Sequence, residues 1–230
     1  MKRSEINSII IEAIDFIKKH QFYLPKFAYW SLEDWKGKGE EINEIIDVKL
    51  GWDITDYGRG DFYKMGLIHF TIRNGNPNTI NQGGKNYCEK IMIMKQMQQI
   101  PMHFHSNKME DIINRGGSRL MVQLYNSNNN ENKFSNSEIT VSIDGELKNL
   151  AAGAIIELSP GESITIQPRL FHKFWVKKKN GKILIGEVSR VNDDIGDNFF
   201  VEKVSRFPDI EEDTAPKYLL CSDYKKFLNR

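Results

Sequence analysis

The segment 101–110, PMHFHSNKME, carries the residues with the clearest chemical potential. Side chains alternate between the two faces of a β-strand, so His103 and His105 point the same way and can present two imidazoles to one ion. Glu110 follows a short turn and can return to the same place as a third ligand. His172, which opens a later predicted strand, is the fourth candidate.

These four residues form a mixed nitrogen and oxygen donor set without a thiolate. Such a set suits one divalent ion, namely Mn²⁺, Fe²⁺, Co²⁺, Ni²⁺ or Zn²⁺. Four protein ligands leave one or two positions open on a five- or six-coordinate ion, and catalysis requires open positions. The alternative is a chance His-x-His pair whose imidazoles are satisfied by hydrogen bonds. The offset of Glu110 and the Gly116-Gly117 turn favour the metal.

Two further residues are candidates for acid–base work. Lys90 lies in the apolar run 88–94, and a lysine facing inward there could orient a substrate oxygen or act as acid or base. Glu187 lies in the run 183–188, where burial would raise the pKa of an inward carboxylate, as a proton shuttle requires. The alternatives are a solvated outer face for Lys90 and a structural ion pair for Glu187. Lys108 could orient Glu110.

Glu211 is a candidate for substrate binding. It lies in the acidic stretch 208–213, PDIEED, from which it could reach the site out of the C-terminal segment. The alternative is a solvated acidic turn.

The elements that must position these residues are mainly strands. Beyond Gly51 short runs of β-branched and aromatic residues alternate with turn clusters such as 74–77, NGNP. The Asn-rich segment 126–137 is predicted to be a solvated hairpin loop. The number and spacing of the strands suit a double-sheet barrel or jelly roll. Strands are predicted over residues 67–73, 88–95, 101–105, 119–125, 138–143, 154–158, 163–167, 171–177 and 182–190.

Helices are predicted before the strands. An apolar face with helical spacing predicts an amphipathic helix over 4–19, capped by Ser4, and this helix needs a surface to lie on. A second helical stretch is predicted near 40–49. No linker or repeat divides the chain, so 1–230 is predicted to be one domain, with a helical extension over 1–50, a barrel core over 51–190 and a C-terminal extension over 191–230.

Composition excludes several classes of partner. The 230 residues include 32 Lys and Arg against 31 Asp and Glu, which argues against a nucleic-acid partner. Charged and polar residues interrupt the apolar residues of segment 1–16, so neither a signal peptide nor a membrane association is expected, and the protein is predicted to be cytoplasmic. Cys88 and Cys221 fit no metal or disulfide pattern and are predicted to be buried thiols.

The ligand pattern resembles that of a known superfamily. His103-x-His105, then Glu110 after four residues and Gly117 after six more, matches the first cupin motif, and GESITIQPRLFH, 161–172, is similar to the second, without its usual glycine before the histidine. This resemblance implies a mainly β fold, the cupin double-stranded β-helix or jelly-roll barrel, with the N-terminal helices packed on it.

Longer phrases resemble one cupin family, the D-lyxose ketol-isomerases; they are MKRSEIN, GWDITDYG, MHFHSNKMEDIINRGG, PGESITIQPRLFHKFW and GEVSRVNDD. The resemblance implies a manganese-preferring aldose–ketose isomerase that converts D-lyxose to D-xylulose and often D-mannose to D-fructose. It also implies a homodimer, which the apolar helix in need of cover favours too. One metal suits proton transfer through an enediol. The alternatives are a cupin dioxygenase, using iron and oxygen, and a non-catalytic sugar-binding module in which the metal stiffens the barrel.

Overall fold

The computed structural model of the chain describes residues 1–128, 132–177, 181–193 and 196–228. Its α-helices are α1 (Arg3–Lys19), α2 (Leu32–Lys36), α3 (Asn43–Asp47) and α4 (Tyr224–Leu228). Its strands are β1 (Gly51–Thr55), β2 (Leu67–Asn74), β3 (Tyr87–Lys95), β4 (His103–His105), β5 (Glu110–Gly117), β6 (Leu120–Asn128), β7 (Lys133–Ser135), β8 (Ile139–Ile143), β9 (Glu146–Leu150), β10 (Ile155–Leu158), β11 (Ser163–Ile166), β12 (Leu170–Val176), β13 (Lys182–Arg190) and β14 (Asn198–Phe200).

The strands form two sheets in which every recorded pairing is antiparallel. The larger has the order β1-β2-β3-β13-β5-β11-β8-β9, and the smaller has the order β10-β6-β12-β4-β14, with β7 beside β6. Apolar side chains from the facing sides of both sheets fill one core, for example Met94 and Ile185 from the larger sheet and Val122 and Phe174 from the smaller. This arrangement confirms the predicted cupin-type jelly roll with helices on the outside.

All the predicted strands are present, with ends displaced by at most three residues. The prediction missed β1, β5, β7, β9 and β14. Strand β5 was missed because its sequence, EDIINRGG, mixes charged residues with a glycine pair, and it forms since β11 and β13 pair with it on both sides. The predicted loop 126–137 is a hairpin of β6 and β7, of which residues 129–131 lie outside the described part.

Helix α1 is the predicted amphipathic helix, but its cap is different. Lys2 occupies the N-cap position without a side-chain hydrogen bond, so the prediction of a Ser4 cap is wrong. Ser4 lies in the first turn, and its hydroxyl donates instead to Asp213 Oδ2, 2.6 Å away. The predicted helix at 40–49 is a 3-10 turn followed by the short α3.

The apolar face of α1 lies on the outer side of the larger sheet. Its isoleucines pack against Trp52, Ile68, Phe70 and Ile93 of the first three strands. The apolar face of α1 is therefore buried within the chain, and it does not support the prediction of a dimer. The described helices include none that is long and apolar enough to cross a membrane.

The C-terminal segment returns to the start of the chain. The buried guanidinium of Arg3 donates to both carboxylate oxygens of Asp223 and of Glu212, each at 2.8 Å. Strand β14 joins the smaller sheet beside β4, although it belongs to the predicted C-terminal extension. It stays a prediction that the whole chain is one domain. The boundaries near 50 and 190, between the helical extension, the barrel core and the C-terminal extension, stay predictions as well.

Candidate metal centre

Three histidines meet on the inner face of the smaller sheet. His103 and His105 alternate with Phe104 along β4, and His172 on β12 is the direct strand partner of His103. All three side chains are buried, and their nitrogen ligand atoms lie within 4.8 Å of one another. Strand alternation and the pairing of β4 with β12 thus bring together imidazoles that lie far apart in sequence.

The orientation of the rings suits a metal ion. His103 Nδ1 donates to Pro101 O at 2.8 Å and His172 Nδ1 donates to Leu170 O at 2.9 Å, so Nε2 of each ring is the unprotonated nitrogen. His172 Nε2 is buried and makes no hydrogen bond with any described residue. A buried nitrogen lone pair that no protein donor satisfies fits a metal ligand.

Glu110 reaches the histidines from the facing sheet. Its Oε1 lies 3.2 Å from His172 Nε2, and its Oε2 lies 3.4 Å from His105 Nε2. The structure therefore brings all four predicted ligands together. Three imidazoles and one carboxylate in this arrangement fit one divalent ion, and the donor types alone do not select among the first-row metals.

Burial and neighbouring charges set the protonation states of these residues. Burial, together with the neighbouring His172 and His105, holds the pKa of His103 well below its usual value, so its imidazole is neutral at pH 7. Burial alone would raise the pKa of Glu110, but Lys108 and His105 outweigh it and hold this pKa well below the usual value. Neutral imidazoles and an ionised carboxylate are the forms that bind metals.

Lys108 links the metal ligands to a second carboxylate. Its buried Nζ lies 2.8 Å from Glu110 Oε2 and 2.9 Å from Glu187 Oε1. Burial opposes its charge, but the two carboxylates raise the pKa of Lys108. The loop that carries Lys108 is held by Asp197, whose carboxylate accepts from the backbone N–H of Asn107 at 2.7 Å and of Lys108 at 2.9 Å.

A cavity lies beside His103, His105 and Glu110. Lys90 and Glu187 line the same cavity, and both are buried. They are direct partners on β3 and β13, with 3.3 Å between Lys90 Nζ and Glu187 Oε1. Lys90 Nζ also donates to Asn192 Oδ1 at 2.6 Å. Asn192 is fixed in turn by two hydrogen bonds with Asn74, whose side-chain amide binds the backbone N–H and C=O of Asn192.

The prediction of a raised pKa for Glu187 is wrong. Burial does act in that direction, but the ammonium groups of Lys108 and Lys90 outweigh it and lower the pKa of Glu187. The sequence could not show this, because Lys108 and Lys90 lie on segments remote from Glu187. The carboxylate is therefore ionised at neutral pH.

The structure does not bring Glu211 to the cavity. Its side chain is exposed, and its backbone N–H and C=O pair with Met1 O and Arg3 N, each at 2.9 Å. Within this chain the predicted substrate-binding role of Glu211 has no support, because the segment that carries it is fixed beside the start of α1 instead.

Several cavity residues were not among the candidates, notably Tyr57, His69, Asn192 and Arg206. Strand alternation offered a signal for His69 alone, because its neighbours Ile68 and Phe70 face α1 and His69 must face the other way. Arg206 lies in irregular chain after β14, where no periodicity predicts a direction.

Known proteins resemble this chain along almost its whole length. Residues 1–224 match the model of a family described as D-lyxose isomerase. The chain belongs to the D-lyxose isomerase family. This family member is 43% identical over 233 residues to the D-lyxose/D-mannose isomerase of Serratia proteamaculans, covering 99% of this chain and 100% of that one. It is 45% identical over 228 residues to the D-lyxose/D-mannose isomerase of Escherichia coli O157:H7, with the same coverage.

Solved structures share the fold of this D-lyxose isomerase family member. The L-ribose isomerase of Acinetobacter sp. DL28 in complex with L-ribose superposes with a TM-score of 0.57 at 16% identity, covering 91% of this chain and 98% of that one. The L-ribose isomerase of Cellulomonas parahominis with L-psicose gives 0.58 at 14% identity, covering 92% and 98%. At these identities the likeness establishes the fold.

Proposed function

We propose that the protein is a metal-dependent aldose–ketose isomerase that converts D-lyxose to D-xylulose, and D-mannose to D-fructose, by proton transfer through an enediol. The observation that carries the proposal is a cavity lined by His103, His105 and Glu110 together with Lys90 and Glu187. The fourth candidate ligand, His172, is the direct strand partner of His103. Membership of the D-lyxose isomerase family supports the reaction, and the names of the curated relatives support the two substrates.

His103, His105, Glu110 and His172 would hold one divalent ion, which we propose to be Mn²⁺. The donor set supports a first-row divalent ion, and the family resemblance supports manganese. When bound, the ion supplies a Lewis acid for the oxygens of the sugar. The hydrogen bonds of His103 and His172 to backbone carbonyls keep both rings in the orientation that this role needs.

Glu187 is the group that moves the proton between C2 and C1 of the sugar. A raised pKa is not what equips it for this role. Its carboxylate is ionised and buried, so it can accept the C2 proton without first losing one. Lys90 and Lys108 both contact Oε1 of this carboxylate, which fixes its position and stabilises its charge. Lys90 also has donors that can orient a sugar oxygen.

Apolar side chains complete the cavity. Met92, Ile112 and Phe174 line it together with the charged groups. They exclude water, which strengthens the electrostatic contacts and protects an enediol from solvent.

We also propose that the protein is cytoplasmic and homodimeric. Cys88 and Cys221 are buried thiols that form no disulfide, which is typical of a reducing compartment. The dimer is supported by the family resemblance, and sedimentation equilibrium of the metal-loaded protein tests it.

The reaction is tested by incubating metal-stripped protein with D-lyxose in deuterated water, with and without Mn²⁺, and following the products by proton NMR. We expect D-xylulose only when Mn²⁺ is present, with deuterium at C1 from exchange of the transferred proton. No ketose from D-lyxose or D-mannose, with metal bound, would overturn the proposal. Oxygen uptake during turnover would instead indicate a dioxygenase, and bound but unchanged sugar a binding module.

A further inference from the structure

The inner face of the larger sheet carries a row of polar side chains that continues beyond the proposed reaction centre. In sheet order it runs over five adjacent strands, β5, β13, β3, β2 and β1. The row shifts by two residues between β5 and β13 and again between β3 and β2, so that it runs diagonally on one face. Its residues are Glu110, Glu187, Lys90, His69 and Asp53. The first three belong to the metal centre and the acid–base pair. The last two have no part in that chemistry.

Asp53 and His69 are direct strand partners on β1 and β2, so their side chains project from the same face of the sheet. Trp52 and Ile54, on either side of Asp53, pack against α1, which places Asp53 on the inner face. Neighbouring strands lie about 4.8 Å apart, so β2 is roughly 14 Å from β5 across the sheet. His69 therefore marks the end of the cavity remote from Glu110.

Arg206 joins these two residues from outside the sheet. Its guanidinium donates to Asp53 Oδ2 at 2.5 Å, and the same oxygen lies 3.7 Å from His69 Nε2. The segment that carries Arg206 is held against the loop after β1 by a hydrogen bond of 3.1 Å from Ser205 N to Tyr57 O. Both His69 and Arg206 line the cavity, while Asp53 lies behind them.

The chemistry of this group suits sugar hydroxyls. A guanidinium carries five N–H donors in one plane, so it can hold a carboxylate at one edge and hydroxyl oxygens at another. Asp53 Oδ1 is buried and makes no hydrogen bond with any described residue, so this oxygen still needs a donor. A ligand hydroxyl or a water that bridges to it can supply one.

We propose that His69 and Arg206, positioned by Asp53, bind the terminal hydroxyl of the open-chain sugar and so fix the end of the substrate that does not react. This inference rests on the proposed isomerase function. It makes His69 and Arg206 substrate-binding residues and Asp53 a positioning residue that acts through both. None of the three takes part in the proton transfer.

The test compares D-lyxose with 5-deoxy-D-lyxose, which lacks only the terminal hydroxyl. We expect Arg206→Gln to lower kcat/KM for D-lyxose at least about tenfold, as for a lost hydrogen bond to a charged group. For the deoxy sugar we expect a loss of less than about threefold, because the interaction partner is already absent. Each variant is compared with the unchanged protein on the same sugar, so the different ring equilibria of the two sugars cancel.

Arg59→Gln is the matched control. Arg59 also ties the segment after β14 to the loop after β1, through an exposed ion pair with Glu202, but it does not line the cavity. Arg59→Gln should leave kcat/KM unchanged for both sugars. Arg206→Lys keeps the charge and should recover part of the D-lyxose activity.

Asp53→Asn tests the positioning role. It should raise KM for D-lyxose with kcat kept within about twofold, and it should have little effect on the deoxy sugar. His69→Gln should follow the Arg206→Gln pattern. Far-UV circular dichroism and bound-metal content check that each variant is folded and loaded.

Equal losses on both sugars, or no loss on either, in protein that is folded and metal-loaded would overturn this assignment. The proposed function fails in a different way, namely if the unchanged protein with Mn²⁺ bound converts neither sugar. A loss confined to the sugar that has the terminal hydroxyl supports the assignment.

Discussion

Glu187 and Lys90 face each other across β13 and β3, with Oε1 and Nζ 3.3 Å apart inside the cavity. Lys108 approaches the same oxygen to 2.9 Å from a different segment. Two ammonium groups thus hold one buried carboxylate in its ionised form next to the metal ligands. This relationship makes Glu187 the best-placed general base of the chain's described residues.

Glu187→Gln tests that role, because it keeps the size of the side chain and removes its charge. We expect kcat on D-lyxose to fall by about 10²- to 10⁴-fold, as for loss of a general base. Bound manganese, measured by plasma mass spectrometry, should stay unchanged. Glu157→Gln, which removes a surface partner of Arg119, is the control and should leave kcat unaffected. An unchanged kcat in Glu187→Gln would refute the assignment.

His172→Asn tests the metal centre, because it removes a buried ligand nitrogen that makes no hydrogen bond with the described residues. We expect the affinity for Mn²⁺ to fall at least about tenfold. A metal that binds only the folded state raises Tm, so the rise in Tm on adding Mn²⁺ should be reduced as well. Calorimetric titration and thermal unfolding measure the two effects.

His20→Gln is the matched control for this variant. His20 lies at the end of α1, where its Nδ1 contacts Phe16 O, and it should bind metal no differently from the unchanged protein. Equal Mn²⁺ affinity in His172→Asn and His20→Gln would exclude His172 as a ligand.

Arg3→Met tests how the two ends of the chain are held together. Removing the buried guanidinium leaves Asp223 and Glu212 without their shared partner. We expect the free energy of unfolding to fall by about 3–5 kcal/mol, since breaking a buried ion pair strands the remaining charge. Urea denaturation measures the loss. Arg73→Met removes an exposed ion pair with Glu89 and should cost no more than about 1 kcal/mol.

The ion pair of Glu212 makes the free energy of unfolding depend on pH in the acidic range. Its hydrogen bond with Arg3, aided by Lys226, lowers the pKa of Glu212 from 4.5 to about 2. Between these values the carboxylate of Glu212 is protonated more readily in the unfolded chain than in the folded one. The contribution of Glu212 to the free energy of unfolding is therefore full above pH 4.5 and is lost as the pH falls to about 2.

Glu212→Gln should therefore flatten the dependence of the unfolding free energy on pH in that window. Urea denaturation at a series of pH values measures the slope, with Glu211→Gln as the neighbouring control. The same slope in Glu212→Gln and the unchanged protein would contradict the pairing.

The sequence by itself predicted nine of the fourteen strands among the described residues, and it predicted the candidate metal ligands. Apolar runs bounded by turn residues predicted strands whose ends the structure moves by three residues at most, because side-chain alternation and turn chemistry are local properties. His103 and His105 share a face for the same local reason. The apolar neighbours of Lys90 and Glu187 predicted buried strands, and the structure places both side chains inside the barrel.

Only the tertiary structure decided which charges meet. The sign of the pKa shift of Glu187 depends on Lys90 and Lys108, which reach it through strand pairing and a loop held by Asp197. The group of Asp53, His69 and Arg206 joins two paired strands to a remote segment, since Arg206 lies 153 residues after Asp53. Glu211 lies beside the start of α1 instead of in the cavity. Local patterns give the face on which a residue lies. Contacts between segments that are remote in sequence are set by strand pairing and packing of the whole fold, which no local pattern encodes.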